Sequence, residues 1–432
     1  MINDAYWIAV QAIFGVGSSR AIEVLEKFGD VKALFDADED EIRSAHIMTP
    51  AELGKFKNYD FAKSEKIIKT CAEKGYKILT PDDDEFPPKL LRIKNPPVVL
   101  YVDGTLPDME DEVGICMVGT RNCTKNGLIV ASVLGYRLAE AGSVIISGGA
   151  LGIDTACSRG AVAANKKSII VLGCGLEYPY LLNNRKIRDD VRKNGAVITE
   201  YPPDFAPSNI TFPIRNRLMS ALSNGVVVIE APEKSGSLIT VSHALEQGKD
   251  IYVVPGDITN KNYAGNNKLL KDGAEAIYTP RDVLDTYMSS FPHKRDFKNA
   301  DIPLNEDRMY INMYNKNRNV SEIDPLGVKK RYERHLDNGN DNNMNIAAEP
   351  VHKYNSDRTV KKPETKPKKR TLDFEHDETV EKIYNCFTNE PQSVDILIQK
   401  SGVDAGDVLY ALTELEINGM VESLPGGSYK LI

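Results

Sequence analysis

The stretch VGICMVGTRNCTKNGLIVASVLGYRLAEAGSVIISGG (113–149) decides the fold. It opens on an apolar run, 113–119, that ends in glycine. A polar loop, TRNCTKNG, leads into a long helical pattern, and a second apolar run, 143–148, comes after it. Strand, helix and strand in so short a span make a βαβ unit, and the chain repeats it. Further apolar runs stand at 168–173, 196–200, 226–231 and 251–256, separated by helical segments. Each run is apolar throughout rather than alternating, so both of its faces are covered, which marks a parallel sheet between helical layers. The expected fold class is α/β, with a Rossmann-like, doubly wound, mostly parallel sheet over 113–285.

The flanks read differently. Residues 1–75 form an N-terminal helical domain, in which Gly15 and Gly17 make a tight turn and a helical pattern ends at Gly75, a suitable C-cap. A Gly-x-Gly turn between short helices is typical of a helix-hairpin-helix, and a plain helical bundle carries the same glycines. Residues 76–112 are a connector, where the Pro pairs 87–88 and 96–97 forbid helix and VVLYV makes a short strand. Segment 286–375 is expected to be a disordered linker with a local helix over 328–336. Its part 299–345 holds eleven Asn and no sustained apolar period, and 361–370 is a charged run broken by Pro. Residues 376–432 show three amphipathic helical patterns, then strand–turn–strand around Gly426 and Gly427, which describes a C-terminal winged helix. Its third helix carries Asp404, Asp407, Glu414 and Glu416 and no Lys or Arg. Duplex phosphates would repel that surface, so protein contact is its expected role.

Composition excludes several classes. The 432 residues are 41% apolar and 27% charged, with a net charge of −8. Residues 113–280 hold 18 Lys/Arg against 14 Asp/Glu, whereas 376–432 hold 3 against 10, so an anion-binding middle stands beside an acidic end. The six Cys show no C-x-x-C spacing and the six His are dispersed, so no metal is expected. The start, MINDAYWIAVQAIFGVG, has Asp4 and no basic segment, and no apolar run approaches ~18–20 residues. Neither a secretory signal nor a membrane span is expected, and a cytoplasmic protein with reduced thiols is. There is no G-x-x-x-x-G-K-[ST] and no G-x-G-x-x-G, so no cofactor is expected.

In an open α/β sheet, ligands bind beyond the carboxyl ends of the strands. The loops that leave those ends here are rich in Gly, Ser and Arg. The first loop gives Gly119, Arg121 and Lys125, and the second gives Gly148 and Gly149 before Asp154. The third leads through Tyr178 to Arg185 and Lys186, and the fourth holds Glu200 and FPIRNR, with Phe212, Arg215, Asn216 and Arg217. The fifth gives Glu230 and then Ser235, Gly236 and Ser237. Glycine lets a backbone approach a ligand, and helix N-termini carry partial positive charge for a phosphate. Pro213 suits the first helical position, which would put Arg215 and Arg217 in a first turn where the dipole opposes cations. Either a bound polyanion or buried carboxylates such as Glu200 or Glu230 must then compensate. Cys123 beside Arg121 could have a lowered thiol pKa, although nothing supplies a base. A two-carboxylate site drawn from Asp154, Glu200 and Glu230 is the alternative these ends offer.

In order, VGTR, SGGALGIDTA, VLGCGLEYPY, ITEYPP, FPIRNRLMSAL, VVVIEA, SGSLITVSHALEQGKDIYVVPG and GNNKLLKDGA resemble the Rossmann-like core of the DNA-processing protein A (DprA/Smf) family, continuously over 113–280. The resemblance implies a protein that binds single-stranded DNA, protects it and helps load RecA recombinase in natural transformation. It implies no enzymatic activity and a homodimer formed through the core. It places DNA contacts on Arg121, on Arg185 or Lys186, and on Arg215 and Arg217. Leu151 stands where many relatives have a basic residue, and Ser158 where many have His. The competing class is an enzyme, a nucleotide phosphoribohydrolase with a P-G-G-x-G-T loop feeding a catalytic Glu. Here that region reads APEKSGSLIT, with no P-G-G, and after its SGS turn no Glu appears before Glu246.

Overall fold

The computed structural model describes residues 2–179, 185–287, 289–291, 299–317, 378–388 and 390–403, together with 408, 411–412, 415, 420–424 and 428–431. The chain divides into two compact units, Met1–Asn340 and Asp341–Ile432.

Six helices build the N-terminal part of the first unit: α1 (Ile2–Phe14), α2 (Arg20–Phe28), α3 (Val31–Asp36), α4 (Glu39–Ser44), α5 (Pro50–Lys57) and α6 (Phe61–Lys74). Local chemistry sets their ends. Asp30, Asp38 and Thr49 side chains cap α3, α4 and α5, and Gly75 closes α6 in the left-handed conformation. Trp7, Ile8, Ile13, Val24 and Leu34 form their core. The Gly15/Gly17 turn, with φ of 88° and 76°, lies against the sheet domain: a Cβ on Gly17 would meet Ile214 Cγ2 at 2.8 Å. The side of Gly17 where a Cβ would stand therefore packs against the sheet domain.

The connector supplies β1 (Lys77–Leu79), a short helix α7 (Pro88–Leu91) and β2 (Leu100–Gly104). The repeating βαβ pattern becomes β3 (Gly114–Val118), α8 (Lys125–Glu140), β4 (Val144–Ser147), α9 (Ile153–Ala163), β5 (Ser168–Leu172), α10 (Arg185–Asn194) and β6 (Ala196–Thr199). It continues with α11 (Thr211–Leu222), β7 (Gly225–Val228), α12 (Ser237–Glu246), β8 (Asp250–Val253), α13 (Ala264–Lys271), β9 (Glu275–Ala276) and α14 (Pro280–Leu284). The sheet order is β1-β2-β6-β5-β4-β3-β7-β8-β9, with β3 to β9 parallel and β2 antiparallel to both its neighbours, β1 and β6. Alternate residues divide between two layers. Cys116 and Val118 pack with α11 and α12 residues such as Leu218 and Val241, while Ile115 and Met117 pack with Leu134 of α8 and Ile153 of α9. From β3 the chain winds outward to β6, then returns to place β7 on the other side of β3. The crevice between the β3 and β7 loops is the topological switch point.

The expected disordered linker is corrected over 299–317. Helix α15 (Arg308–Asn317) packs on α8. Asp307 receives Arg137 Nε at 2.7 Å and Nη2 at 3.1 Å, Tyr310 donates to Asn126 Oδ1 at 2.6 Å, and Met313 joins Ile129 and Val133 in a small core. Asn-rich composition concealed this short apolar stripe. The helix expected over 328–336 lies outside the described residues.

The second unit has helices Glu378–Cys386 and Val394–Ser401 and an antiparallel sheet β10-β12-β11, from Gln392–Ser393, Ser428–Leu431 and Val421–Leu424. Val380, Ile383, Leu397, Val408 and Leu412 give it its own core, the winged-helix arrangement. Asp404, Asp407, Glu414 and Glu416 lie outside the described residues.

Candidate nucleic-acid interface

The β3, β4 and β7 loops are tied together at the switch point. Thr120 N donates to Glu230 O at 2.7 Å, and Ile153 N to Thr120 O at 3.4 Å. The Glu230 side chain, fully buried, fixes the β3 loop further. Its carboxylate accepts Thr124 N at 2.8 Å, Thr124 Oγ1 at 2.7 Å and Asn262 Nδ2 at 2.7 Å. Thr124 in turn caps α8 through Gly127 N. Glu230 thus holds the loop that carries Arg121, a role the sequence reading did not assign.

Between these loops and α11 lies a cleft of about 440 Å³. Arg121 is exposed at its rim, its guanidinium 5.3 Å from the centroid of the Phe212 ring. Cation–π contact holds the side chain over the cleft without neutralising it. Ser235, Gly236 and Ser237 line the same cleft at the start of α12, where a helix N-terminus adds partial positive charge. Ser235 and Ser237 hydroxyls lie 2.7 Å apart, and Asn216 Nδ2 reaches Gly236 O at 3.4 Å. Lys234 and Asn209 are among the lining residues that were not assigned to the site from the sequence. Lys234 is legible in retrospect as a cation just before the SGS turn after β7.

Arg215 lies on the floor, only 5% exposed. It donates to Gly148 O at 2.7 Å and to Val171 O, and its Nε donates to Asn216 Oδ1 at 3.1 Å. Asp154 meets it above Gly148: a Cβ there would lie 2.6 Å from Arg215 Nη2 and 2.7 Å from Asp154 Oδ2. Burial pushes the Asp154 carboxyl up to about 6, with the Arg215 and Arg121 charges opposing that rise.

Several expectations are corrected. Helix α11 begins at Thr211, with Ser208 N bonded to Thr211 Oγ1 at 3.0 Å, so Pro213 is not its first residue and Arg215 and Arg217 are past the first turn. Arg217, 4% exposed, is not in the cleft but donates Nη2 to both Glu200 oxygens at 2.7 Å. Gly119, Gly148 and Gly149 lack a Cβ to make room for the protein itself, namely for Ile153, for Arg215 with Asp154, and for Ile170. At Gly236, by contrast, nothing lies within 4 Å of an added Cβ. Lys125 at the start of α8, and Arg185 and Lys186 at the start of α10, are exposed at the same end of the sheet but do not line the cleft. Tyr178 packs beside Cys174 and Ile187. The Cys123 thiol is pushed up to about 12 by burial and the nearby Glu230, the reverse of an activated thiol. Asp154, Glu200 and Glu230 do not converge, since Glu200 and Glu230 are each held by other partners and lie outside the cleft lining.

Among the described residues no group of three or more His, Cys, Asp or Glu could hold a metal ion, and no helix is long and apolar enough to cross a membrane. The cleft therefore offers exposed cations, hydroxyls, a helix N-terminus and one aromatic ring, a set suited to an anion with a flat apolar part.

Residues 77–288 match the family model described as DNA recombination-mediator protein A, and 365–427 match the DprA winged helix domain. The chain is 33% identical over 246 residues to DNA processing protein DprA of Bacillus subtilis, spanning 57% of this chain and 81% of the relative. It is 28% identical over 443 residues to Protein Smf of Synechocystis sp., spanning 99% and 98%. The X-ray structure of DNA processing protein A (DprA) from Streptococcus pneumoniae resembles it with a TM-score of 0.56 at 30% identity, over 65% of this chain and 97% of that one. The chain belongs to the DNA recombination-mediator protein A family, which includes the DprA and Smf proteins.

Proposed function

We propose that the switch-point cleft binds single-stranded DNA through its backbone phosphates, and that the protein protects the strand and loads RecA recombinase onto it without catalysing a reaction. The observation that carries this reading is the placement of Arg121: an exposed cation held over Phe212, in the same cleft as Lys234, Ser235 and Ser237. Cations track phosphates without regard to sequence, and an aromatic ring offers a base a stacking surface. Family membership supports DNA as the ligand. The fixed partners of Glu200 and Glu230 favour binding over phosphoribohydrolysis, because neither carboxylate reaches the cleft. A DNA ligand and RecA as partner would place the protein in the cytoplasm. A homodimer through the core is part of the same proposal.

The test is a salt titration of single-strand affinity with wild type and Arg121→Ala. The variant is expected to bind more weakly, with a log–log slope shallower by about 0.7, one phosphate contact on a single strand. Unchanged affinity removes Arg121 from the site. RecA nucleation on a protein-coated strand should accelerate when the full chain is added, and no acceleration rejects the loading role.

A further inference from the structure

A second recess, of about 1040 Å³, lies on the other side of the α11 entrance, where the N-terminal helices meet the sheet domain. The segment between the two recesses serves both. Asn209, Phe212 and Pro213 line the cleft, and Ile210, Thr211 and Ile214 line the recess. Two large apolar side chains are left in water there: Ile210 is 71% exposed and Phe205 is 42% exposed. The Phe205 ring stacks on Tyr201, with centroids 4.8 Å apart and planes 28° apart, so Tyr201 sets its orientation. Gln11 of α1 also lines the recess. It is 4% exposed, and its Nε2 has no hydrogen-bond partner among the described residues. Lys55, Asp60 and Lys63 also line the recess; Lys55 Nζ reaches Ile13 O at 3.5 Å, and the Asp60 carboxylate accepts Ala62 N at 3.0 Å.

We infer that this recess receives the bases of the strand whose phosphates occupy the cleft, so that α1, α5, α6 and the 201–214 segment extend the binding path. The inference rests on the single-strand reading of the cleft. A buried amide donor without a partner is costly. An aliphatic peptide side chain would leave it unmet, whereas a base carbonyl or ring nitrogen in the recess would satisfy it once the Gln11 side chain turns outward. An oriented aromatic ring fits a base, and the two lysines fit the phosphates on either side.

Fluorescence anisotropy with the full chain separates the two recesses. The probes are an oligothymidylate of about six nucleotides, one of about twenty, and an abasic strand of the longer length. Phe205→Ala is expected to weaken binding of the long oligothymidylate about tenfold, the usual size of one lost base–aromatic stack, and to leave the short and abasic strands unchanged. Ile210→Asp, at a position already in water, should act in the same direction and controls for misfolding. If Arg121→Ala weakens binding of the strand and neither groove variant does, the groove inference is overturned and the cleft reading stands. If Arg121→Ala is silent, the cleft reading fails and the continuity behind this inference goes with it. Loss of RecA capture by the groove variants, with strand binding intact, would make the recess a protein site and overturn the inference.

Discussion

Arg215 and Arg217 are two positions apart, and their side chains do different work. Two residues of helix turn by about 200°, so the arginines point to opposite sides of α11. Arg215 is spread over Gly148 O, Val171 O and Asn216, and it floors the cleft. Arg217 pairs with Glu200, 1% exposed, and its Nε and Nη1 find no other partner among the described residues. Removing one member of such a pair leaves a bare buried charge, so Glu200→Gln should cost about 3–5 kcal/mol in urea denaturation. Glu200→Gln combined with Arg217→Met should recover much of it, and a double variant no more stable than the single one refutes the pairing. Asp154 gives a pH signature. Its folded carboxyl lies near 6 against an ordinary 3.8, so the folded state holds more protons between these values. Stability should therefore fall as pH rises from about 4 to 6, by no more than about 3 kcal/mol, and Asp154→Asn should flatten that slope. Protonation also removes the one carboxylate that lines the cleft among the described residues. Strand affinity should therefore rise as pH falls through about 6 in wild type and not in Asp154→Asn. FPIRNR was legible as a cationic cluster, but which arginine faced a carboxylate was not, because that depends on where α11 starts. The start at Thr211 comes from a local turn with Ser208 that the prominent Pro213 masked.

At the scale of elements, the parallel strands were readable because each is a short run buried on both faces. Helix α15 was not, because its three packing residues, Met309, Tyr310 and Met313, sit among asparagines. Its anchor is ionic. Asp307 is 1% exposed and accepts both Arg137 Nε and Nη2. Burial raises the Asp307 carboxyl, but the Arg137 hydrogen bonds and charge outweigh it and hold the group below its ordinary 3.8. A depressed carboxyl contributes stability above its unfolded pKa and loses it on acidification. Asp307→Ala should release α15 without unfolding the sheet. Hydrogen exchange should speed up across 308–317 and stay slow in β3 to β7. Equal protection in wild type and variant would show that Met313 and Tyr310 suffice as the anchor.

At the scale of the molecule, the sequence pattern was enough to expect helices, an α/β sheet and a winged helix in that order, because each has its own hydrophobic period and its own core. What periodicity could not reveal is a surface that is apolar but not buried. At the β8–β9 end of the sheet, Leu245 of α12 is 62% exposed, Ile258 after β8 is 90% exposed and Tyr278 after β9 is 66% exposed. Large apolar side chains left in water on the segments flanking the last two strands of a sheet suit a covering partner. In the proposed homodimer that partner is a second copy of the chain, because a two-fold interface brings the same patch from each side. A stable interface of that kind buries about 1,200–2,000 Å² in total, with its apolar residues at the centre. Leu245→Arg puts a charge there while leaving the protein's own interior untouched, since the side chain is already mostly in water. Sedimentation velocity should give two chains for wild type and one for Leu245→Arg. A single chain in both rejects the dimer, and two chains in both moves the interface away from the β8–β9 end.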